Sequence, residues 1–409
     1  MELGYGEVSL KEEKDMDHEQ GDGIKRMYRK LLPALAVFSL FFMAVNLQAA
    51  SSTQDANKLH ALVREMVDPS LAAKAGVYGP APGALVRVDG PDIHFQEMAG
   101  FADPDRKITL KVDDHFEIGS NTKMFTAVLL LQLVEQGILS LDDPLSRWLP
   151  GWVTKIPHGR EMTLRHLANH TSGLWDYADA IIGAGAEDDT LLRRAYTPEE
   201  LVRYAIEHGR PDFLPGERGK WKYSNTGYIL LGMVLEKASG RSYRKLLFER
   251  ILNPLHMEET TFPNTIPADP ALVQGYVSYP GGKNVTDWNL SQGWAAGGII
   301  STAADMRIFL RALAHGKVFT RPETLSVMAT FIEPEAIHEH NGSRGYGIGL
   351  IEYGHNIWGH GGQTLGFESL MLFVPGTDWS VIVLTNASQG PYLQMRKLIP
   401  FLQQLEEGH

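Results

Sequence analysis

The sequence predicts an α/β protein of the α+β kind, in which both chain ends build one antiparallel sheet flanked by helices. An all-helical lobe is expected to be inserted between those ends. Residues 84–100 read as two strands around a turn at Asp89, and 368–374 with 379–386 form a second strand pair. Helical patterns fill the stretch between, residues 118–315.

The helices are predicted from apolar spacing and from capping residues. Residues 56–67 have helical spacing near one end of the fold, and 392–405 form the last helix. Thr197, Pro at the first helical position and Glu200 make a capping box, and Thr302 starts another helix in a similar way.

Composition excludes several classes of function. The chain has 409 residues, with 44% hydrophobic and 21% charged residues, which are ordinary globular values. Its net charge of -11 argues against a nucleic-acid partner, which needs clustered Lys and Arg. The absence of cysteine excludes disulfides and Cys-based zinc sites. His338-Glu339-His340 reads as a solvated loop, so we expect no metal, no cofactor and a monomer.

The N-terminal residues are expected to lie outside the fold. Residues 1–26 form a polar extension, and 27–49 combine an adjacent basic region, a short apolar core and a small-residue end, as a signal peptide does. Met27 is the expected true start. The folded domain would be 55–409, periplasmic or secreted. An uncleaved anchor is the alternative, and would be the only link to a membrane.

The first chemical signal is a serine and a lysine at the start of an apolar helix. Ser120 and Lys123 precede the run Met124–Val134. Residues three apart share one face of a helix, and burying an unpaired ammonium is costly or lowers its pKa. A partly neutral amine can take the serine proton and so create a nucleophile. The alternative is a helix-capping Ser120 with Lys123 on the surface.

Two further motifs follow along the chain. Tyr223 and Asn225 stand before another apolar helix, where a phenol and an amide could enter one cleft; the alternative is a packing aromatic and a capping Asn. Gly359-His360-Gly361-Gly362-Gln363 follows a glycine-interrupted strand predicted over Tyr346–Tyr353. Glycines in a strand indicate close approach of backbone or ligand, and such an edge can offer N–H groups to an oxyanion.

In this order and spacing, the three motifs resemble the serine β-lactamase and D-alanyl-D-alanine carboxypeptidase family, in its class C-like branch with related esterases and D-aminopeptidases. Thr163–Tyr177, Ala295–Phe309 and Gly359–Ser369 resemble the same family, and the likeness covers residues 55–395. His170, in the first of these segments, is expected to be buried and structural. The resemblance implies a β-lactamase/transpeptidase-like fold and a serine hydrolase related to the penicillin-binding proteins.

The resemblance also implies roles for the first two motifs. Ser120 would attack a carbonyl carbon and form an acyl-enzyme, which water then releases. Lys123 and Tyr223 would share the general-base work, and the sequence leaves open which of them takes the proton. Asn225 would orient the amide of the substrate.

In the third motif, the resemblance implies that His360, Gly362 and Gln363 bind substrate. Backbone N–H groups of Ser120 and Gln363 would form the oxyanion hole, where each donor is typically worth about 3–4 kcal/mol. His360 stands where many β-lactamases have Lys, and would supply a weaker, pH-dependent positive charge.

One departure from the family pattern bears on the substrate. Carboxypeptidases of this branch commonly place a basic residue just before the third motif, to bind the free carboxylate of the substrate. Here the stretch 350–355 contains Glu352 and no Arg, and Arg344 is expected at the far end of the predicted strand. This favours an esterase or an enzyme that recognises an amine.

Three functional readings therefore remain at this point. The leading one is a serine hydrolase that forms an acyl-enzyme with β-lactams, D-alanyl peptides or esters. The second is an esterase or D-aminopeptidase on the same fold. The third is a catalytically silent penicillin-binding or sensor domain, against which the complete Ser, Lys, Tyr and Asn set argues. No serine has the Gly-x-Ser-x-Gly surroundings of an ordinary α/β-hydrolase.

Overall fold

A computed structural model describes most of the chain beyond the first 54 residues, in the ranges 55–68, 80–91, 93–178, 180–181, 189–277, 279–334, 337, 343–354, 356–388 and 397–407. The chain divides into two compact units, Met1–Leu59 and His60–His409. The first is described only where helix α1 (55–67) begins. The predicted extension and signal peptide lie outside the described residues.

The second unit is organised around an eight-stranded antiparallel sheet. Its order is β3-β2-β1-β12-β11-β10-β9-β8. The strands are β1 (Gly83–Asp89), β2 (His94–Asp103), β3 (Ile108–Thr109), β8 (Gly345–Tyr346), β9 (Ile351–Glu352), β10 (Trp358–Gln363), β11 (Glu368–Phe373) and β12 (Ser380–Thr385).

The two ends of the sequence meet in the middle of this sheet. Strand β1 pairs with β12, with Ala84 opposite Thr385 and Asp89 opposite Ser380. The predicted sheet from both chain ends is therefore confirmed. Both strands are buried along most of their length, and the run Ser380–Thr385 is buried at every position. Such continuous apolar runs indicate a sheet that is covered on both faces.

The segment between the two halves of the sheet is mainly helical, as predicted. Its helices are α2 (Thr122–Glu135), α3 (Leu145–Trp148), α4 (Pro150–Val153), α5 (Leu164–Ala168), α6 (Thr190–Arg193), α7 (Pro198–His208), α8 (Asn225–Ser239), α9 (Tyr243–Leu247), α10 (Trp294–Gly297) and α11 (Ala303–Ala314). Helices α12 (Thr324–Met328) and α13 (Leu398–Glu407) follow it.

The same segment also carries short strands that the sequence did not predict. They form the pair β4 with β7 and the pair β5 with β6, the latter joined by β13 in parallel. Their bounds are β4 (Phe116–Glu117), β5 (Tyr276–Val277), β6 (Lys283–Asn284), β7 (Ile300–Ser301) and β13 (Ala387–Ser388). Strand β4 ends three residues before the candidate nucleophile Ser120 and so helps to position it.

Predicted caps are confirmed at two helices. The Thr197 side chain accepts a bond from the Glu200 backbone N–H, and the Glu200 side chain accepts one from the Thr197 backbone, so α7 begins with a capping box. At α11, the Thr302 hydroxyl accepts from the Asp305 N–H, and Gly316 follows the helix in a left-handed conformation. These bonds satisfy N–H groups that a helix start leaves without partners.

The predicted single strand over 346–353 is wrong. The chain instead reverses between β8 and β9, which pair with each other so that Tyr346 lies opposite Ile351. Gly349 has a φ of +63°, which side-chain-bearing residues rarely adopt, so the alternating glycines permit a tight turn here. Arg344 consequently lies next to Glu352, whose carbonyl accepts its N–H at 2.7 Å, and not at the far end of a strand.

Within the part of the chain that the structure describes, no helix combines the length and apolar character needed to cross a bilayer.

Helices α2 and α11 contribute an aromatic pair to the buried core, so a core truncation here should be costly. Phe125 and Phe309 stack with ring centroids 3.8 Å apart, and both side chains are fully buried. Phe309→Ala should lower the free energy of unfolding by about 3–5 kcal/mol, because it leaves a cavity between these elements. Urea denaturation would measure this loss. Val327→Ala is the control: Val327 is 41% exposed, and a change of about 0.5 kcal/mol or less is expected there.

Candidate functional site

Ser120 lies in a tight turn between β4 and α2. The turn is a 3-10 helix over Gly119–Asn121, and α2 follows at Thr122 with Asn121 as its cap. Ser120 is therefore not the helix cap that the alternative reading required. Gly119 has a φ of +51°, and a Cβ there would stand 2.6 Å from the backbone nitrogen of Gln363. Only glycine lets the backbone of the third motif come this close to Ser120.

Lys123 is completely buried and not on the surface. Its Nζ donates to the Ser120 hydroxyl at 3.0 Å, to the Asn225 side-chain oxygen at 2.6 Å and to the Ala296 carbonyl at 2.8 Å. The three acceptors match the three N–H bonds of an ammonium. The lysine thus joins the first and second motifs, which are about a hundred residues apart in sequence.

Burial dominates the electrostatics of this lysine. Desolvation lowers the pKa of Lys123 to about 7, and the nearby Asp176 carboxylate acts in the opposite direction. Neutral and protonated forms therefore coexist near neutral pH. In the neutral form, the nitrogen has a lone pair that can accept the Ser120 proton.

Asn225 is the first residue of α8, and its side chain does not cap that helix. The cap residue is Ser224. Asp176 accepts from the Asn225 backbone N–H at 3.1 Å and from its side-chain amide at 2.8 Å, which fixes the amide so that its oxygen faces Lys123. Asp176 was not identified from the sequence. The only signal was its place inside the family-like segment Thr163–Tyr177.

Tyr223 lies beside the same group of atoms. The Ser120 side chain is one of the groups that influence its pKa, and the Lys123 Nζ lies 4.8 Å from the centre of its ring. Burial raises the pKa of Tyr223 well above its usual value. The ring stacks at 4.3 Å on His170, which is fully buried and accepts the Ser224 N–H. The structural role expected for His170 is confirmed.

Strand β10 carries the third motif alongside the Ser120 turn. A Cβ on Gly362 would stand 2.0 Å from the Ile118 carbonyl oxygen. Ser369 on β11 donates to the same carbonyl at 2.8 Å and accepts from the Asn121 amide at 2.8 Å. These contacts tie the strand edge to the turn, as the glycines in the motif predicted.

His360 is held on both sides of its ring. The Gly361 carbonyl faces Nδ1 at 2.5 Å, and the Tyr346 hydroxyl faces Nε2 at 2.9 Å. The residue is only 2% exposed. Because both ring nitrogens face protein groups, the imidazole is held in one orientation in the cavity wall. The positive charge predicted for it stays a prediction.

An open cavity of about 570 Å³ brings the three motifs together. Residues of the segments 175–191 and 266–294 are among those that line it. Its apolar wall includes Val277, Val285, Trp288, Leu290 and Leu365. The predicted site residues that line it are Ser120, Tyr223, Asn225, His360, Gly362 and Gln363, with Lys123 buried behind them.

The charges around this cavity are acidic. Glu117, Asp176 and Glu368 line it, and no Arg or Lys does so among the described residues. Glu352, the acid that the sequence singled out, and its neighbour Arg344 are both absent from this lining. Glu117 and Glu368 were not identified from the sequence, because their strands meet the cavity only after the chain folds.

No group of three or more acidic or His side chains that could hold a metal ion occurs among the residues described. His338, Glu339 and His340 lie outside them.

Comparison with known proteins shows which family this chain resembles. The family model described as Beta-lactamase matches residues 61–402. Penicillin-binding protein 4* of Bacillus subtilis (strain 168) is 37% identical over 182 residues, which are 44% of this chain and 38% of that protein. The match therefore spans little more than a third of this relative.

Solved structures match over more of the chain. The D-stereospecific amidohydrolase from Streptomyces sp. has a TM-score of 0.71 at 33% identity, covering 82% of this chain and 96% of that one. The D-amino acid amidase from Ochrobactrum anthropi SV3, complexed with L-phenylalanine amide, has a TM-score of 0.69 at 27% identity, covering 85% and 98%.

Fold and site together define a serine hydrolase with the β-lactamase and transpeptidase fold. The family match runs across most of the chain, so this protein belongs to the β-lactamase family. The family and fold predicted from the three motifs are confirmed.

Proposed function

We propose that this protein hydrolyses amides of D-amino acids that carry a free amino group, through an acyl-enzyme on Ser120. The charge of the cavity carries the proposal. Glu117, Asp176 and Glu368 line it without any Arg or Lys among the described residues. Buried acids of this kind attract an ammonium and repel a carboxylate, because the low dielectric strengthens both effects.

The structural neighbours support the same substrate class. A D-stereospecific amidohydrolase and a D-amino acid amidase match over more than four-fifths of this chain. The substrate configuration in this proposal comes from those relatives, and the preference for an amine comes from the cavity. D-alanyl-D-alanine carboxypeptidase activity is less favoured, since the terminal carboxylate of that substrate would find no described cation in the lining.

Lys123 is the proposed general base in the free enzyme. Its pKa of about 7 leaves a large neutral fraction near neutral pH, whereas the Tyr223 phenol stays protonated because burial raises its pKa. Tyr223 would instead donate a proton to the departing amine. The hydrogen bond of Lys123 with Ser120 and the place of Tyr223 in the same cavity lining as Ser120 support this division.

The remaining motif residues would position the substrate. As the Ser120 oxygen attacks the carbonyl carbon, negative charge develops on the carbonyl oxygen, and the N–H groups of Ser120 and Gln363 would receive it. The close packing of Gly119 on Gln363 supports this pairing. Asn225 would orient the amide, the amine leaves, and water attacks the ester to free Ser120.

The apolar wall indicates the side chain of the substrate. Val277, Val285, Trp288, Leu290 and Leu365 offer a surface with no charge to satisfy. Apolar and aromatic side chains gain about 25 cal/mol for each Å² that they bury. D-phenylalanine amide is therefore a suitable test substrate.

Wild-type protein should release ammonia from D-phenylalanine amide, and Ser120→Ala should lose at least about a thousandfold in kcat, because the covalent route is removed. Intact mass after brief exposure to benzylpenicillin provides a second readout. A lasting adduct on wild type with no amide hydrolysis would contradict the proposal and favour a penicillin-binding protein. Hydrolysis of short esters alone would favour an esterase.

A second prediction concerns pH. For an uncharged ester, kcat/KM should rise with pH through about 7, since only the neutral form of Lys123 accepts the Ser120 proton. Below that value, activity should fall about tenfold per unit of pH. Lys123→Arg keeps a cation that cannot lose its proton, so it should lose about a hundredfold or more at every pH.

The buried Glu117 titrates in the same range, because burial raises its pKa to about 7. Stopped assays across the pH range on Glu117→Gln therefore serve as the control. If the rise with pH disappears in that variant, Lys123 is not the titrating base.

We also propose that residues 27–49 direct export and that the folded part acts in the periplasm or outside the cell. The basic, apolar and small-residue order of this segment supports export. Mass spectrometry of the protein from a native host should find an N-terminus near Ala50. A retained Met1 would contradict this prediction.

A further inference from the structure

We infer that Glu117 and Glu368 form the subsite for the ammonium group of the substrate, at the end of the cavity beside Thr364. This inference rests on the proposed function and assigns its amine specificity to two side chains. Both acids line the cavity and are nearly buried, with exposed fractions of 7% and 4%.

The fold brings these two acids to the same end of the cavity. Glu117 ends β4 and Glu368 begins β11, and the residues just before them, Phe116 and Phe367, contact edge to face at 6.4 Å. Thr364 also lines the cavity, and its side chain favours the ionised form of Glu117 by lowering the pKa against the larger effect of burial. The amide of Gln363 lies 3.5 Å from the Glu368 carboxylate.

Both acids share the cavity with the reacting groups. Glu117 and Glu368 line it together with Ser120 and Gln363, and the Gln363 backbone packs on Gly119. In an amino-acid amide, only the α-carbon separates the amine from the carbonyl carbon. When the carbonyl carbon faces Ser120, the amine therefore stays within the same cavity as these two acids.

Asp176, the third acid of the cavity, already has partners within the protein. Its carboxylate accepts both N–H groups of Asn225 and attracts Lys123. A lysine that contacts the lining residue Trp288 already has an acidic partner, since Lys283 lies over the Trp288 ring and is ion-paired with Asp189.

Glu117 differs from Asp176 in its surroundings. Burial is the main influence on it and raises its pKa to about 7, while the Thr364 side chain acts in the opposite direction. Burial disfavours the negative charge of Glu117, and a bound ammonium would stabilise that charge. Substrate binding and ionisation of Glu117 therefore favour each other.

The decisive comparison uses two substrates that differ only in the amine, D-phenylalanine amide and 3-phenylpropionamide. Glu117→Gln and Glu368→Gln keep shape and remove charge. Each should reduce the ratio of kcat/KM for the first substrate over the second by about tenfold, since a charge-assisted bond is lost. Glu352→Gln is the matched control, because that acid lies outside the cavity lining, and its ratio should not change. A ratio unchanged in both cavity variants would overturn the inference.

Calorimetric titration separates this inference from the proposed function, because it needs no turnover. Wild-type protein should bind 2-phenylethylamine about tenfold more tightly than 3-phenylpropionate, and Glu117→Gln should remove that preference. Preference for the amine without amide hydrolysis would overturn the proposed function and keep the subsite. Amide hydrolysis without that preference would overturn the subsite alone. Circular dichroism shows whether each variant is folded. If Glu117→Gln is unfolded, the same measurements on Glu368→Gln decide the test.

Discussion

The buried ammonium of Lys123 is the interaction on which the rest of the site depends. A lysine with no exposed surface needs acceptors, and the fold supplies them from three distant parts of the chain: Ser120, Asn225 and the Ala296 carbonyl. Asp176 holds Asn225 in place and partly balances the charge. Burial disfavours the protonated form of the lysine and so lowers its pKa to about 7, where an amine can act as a base. The proposed mechanism depends on this shift.

Charge is divided between two groups of residues around the cavity. The Asp176 carboxylate lies near the buried lysine, whose charge partly balances it before a substrate arrives. Glu117 and Glu368 also line the cavity, and no Arg or Lys does so among the described residues. The proposed function follows from this arrangement, which would favour a substrate with an ammonium group. An ammonium completes the charge balance, whereas a carboxylate would add to the repulsion.

The sequence predicted most of the site residues, and the residues that it missed were missed for physical reasons. Ser120 and Lys123 were found because a lysine entering an apolar helix is anomalous by itself, and Tyr223, Asn225 and the glycine motif gained meaning from their order. Glu352 was judged important because it precedes the third motif, but β8 and β9 form a tight turn and leave it outside the cavity lining. Proximity in sequence was a poor guide where glycines reverse the chain.

The sequence by itself determined the local elements, because capping residues, apolar spacing and turn residues act over a few neighbouring positions. It determined the family as well, since three short motifs in a fixed order are specific as a set. Only the tertiary structure decided which acids share the cavity with Ser120. Asp176, Glu117 and Glu368 come from separate segments, and long-range contacts such as β4 with β7 and β10 with the Ser120 turn bring such segments together. Such contacts depend on packing across the whole fold, which no local pattern records.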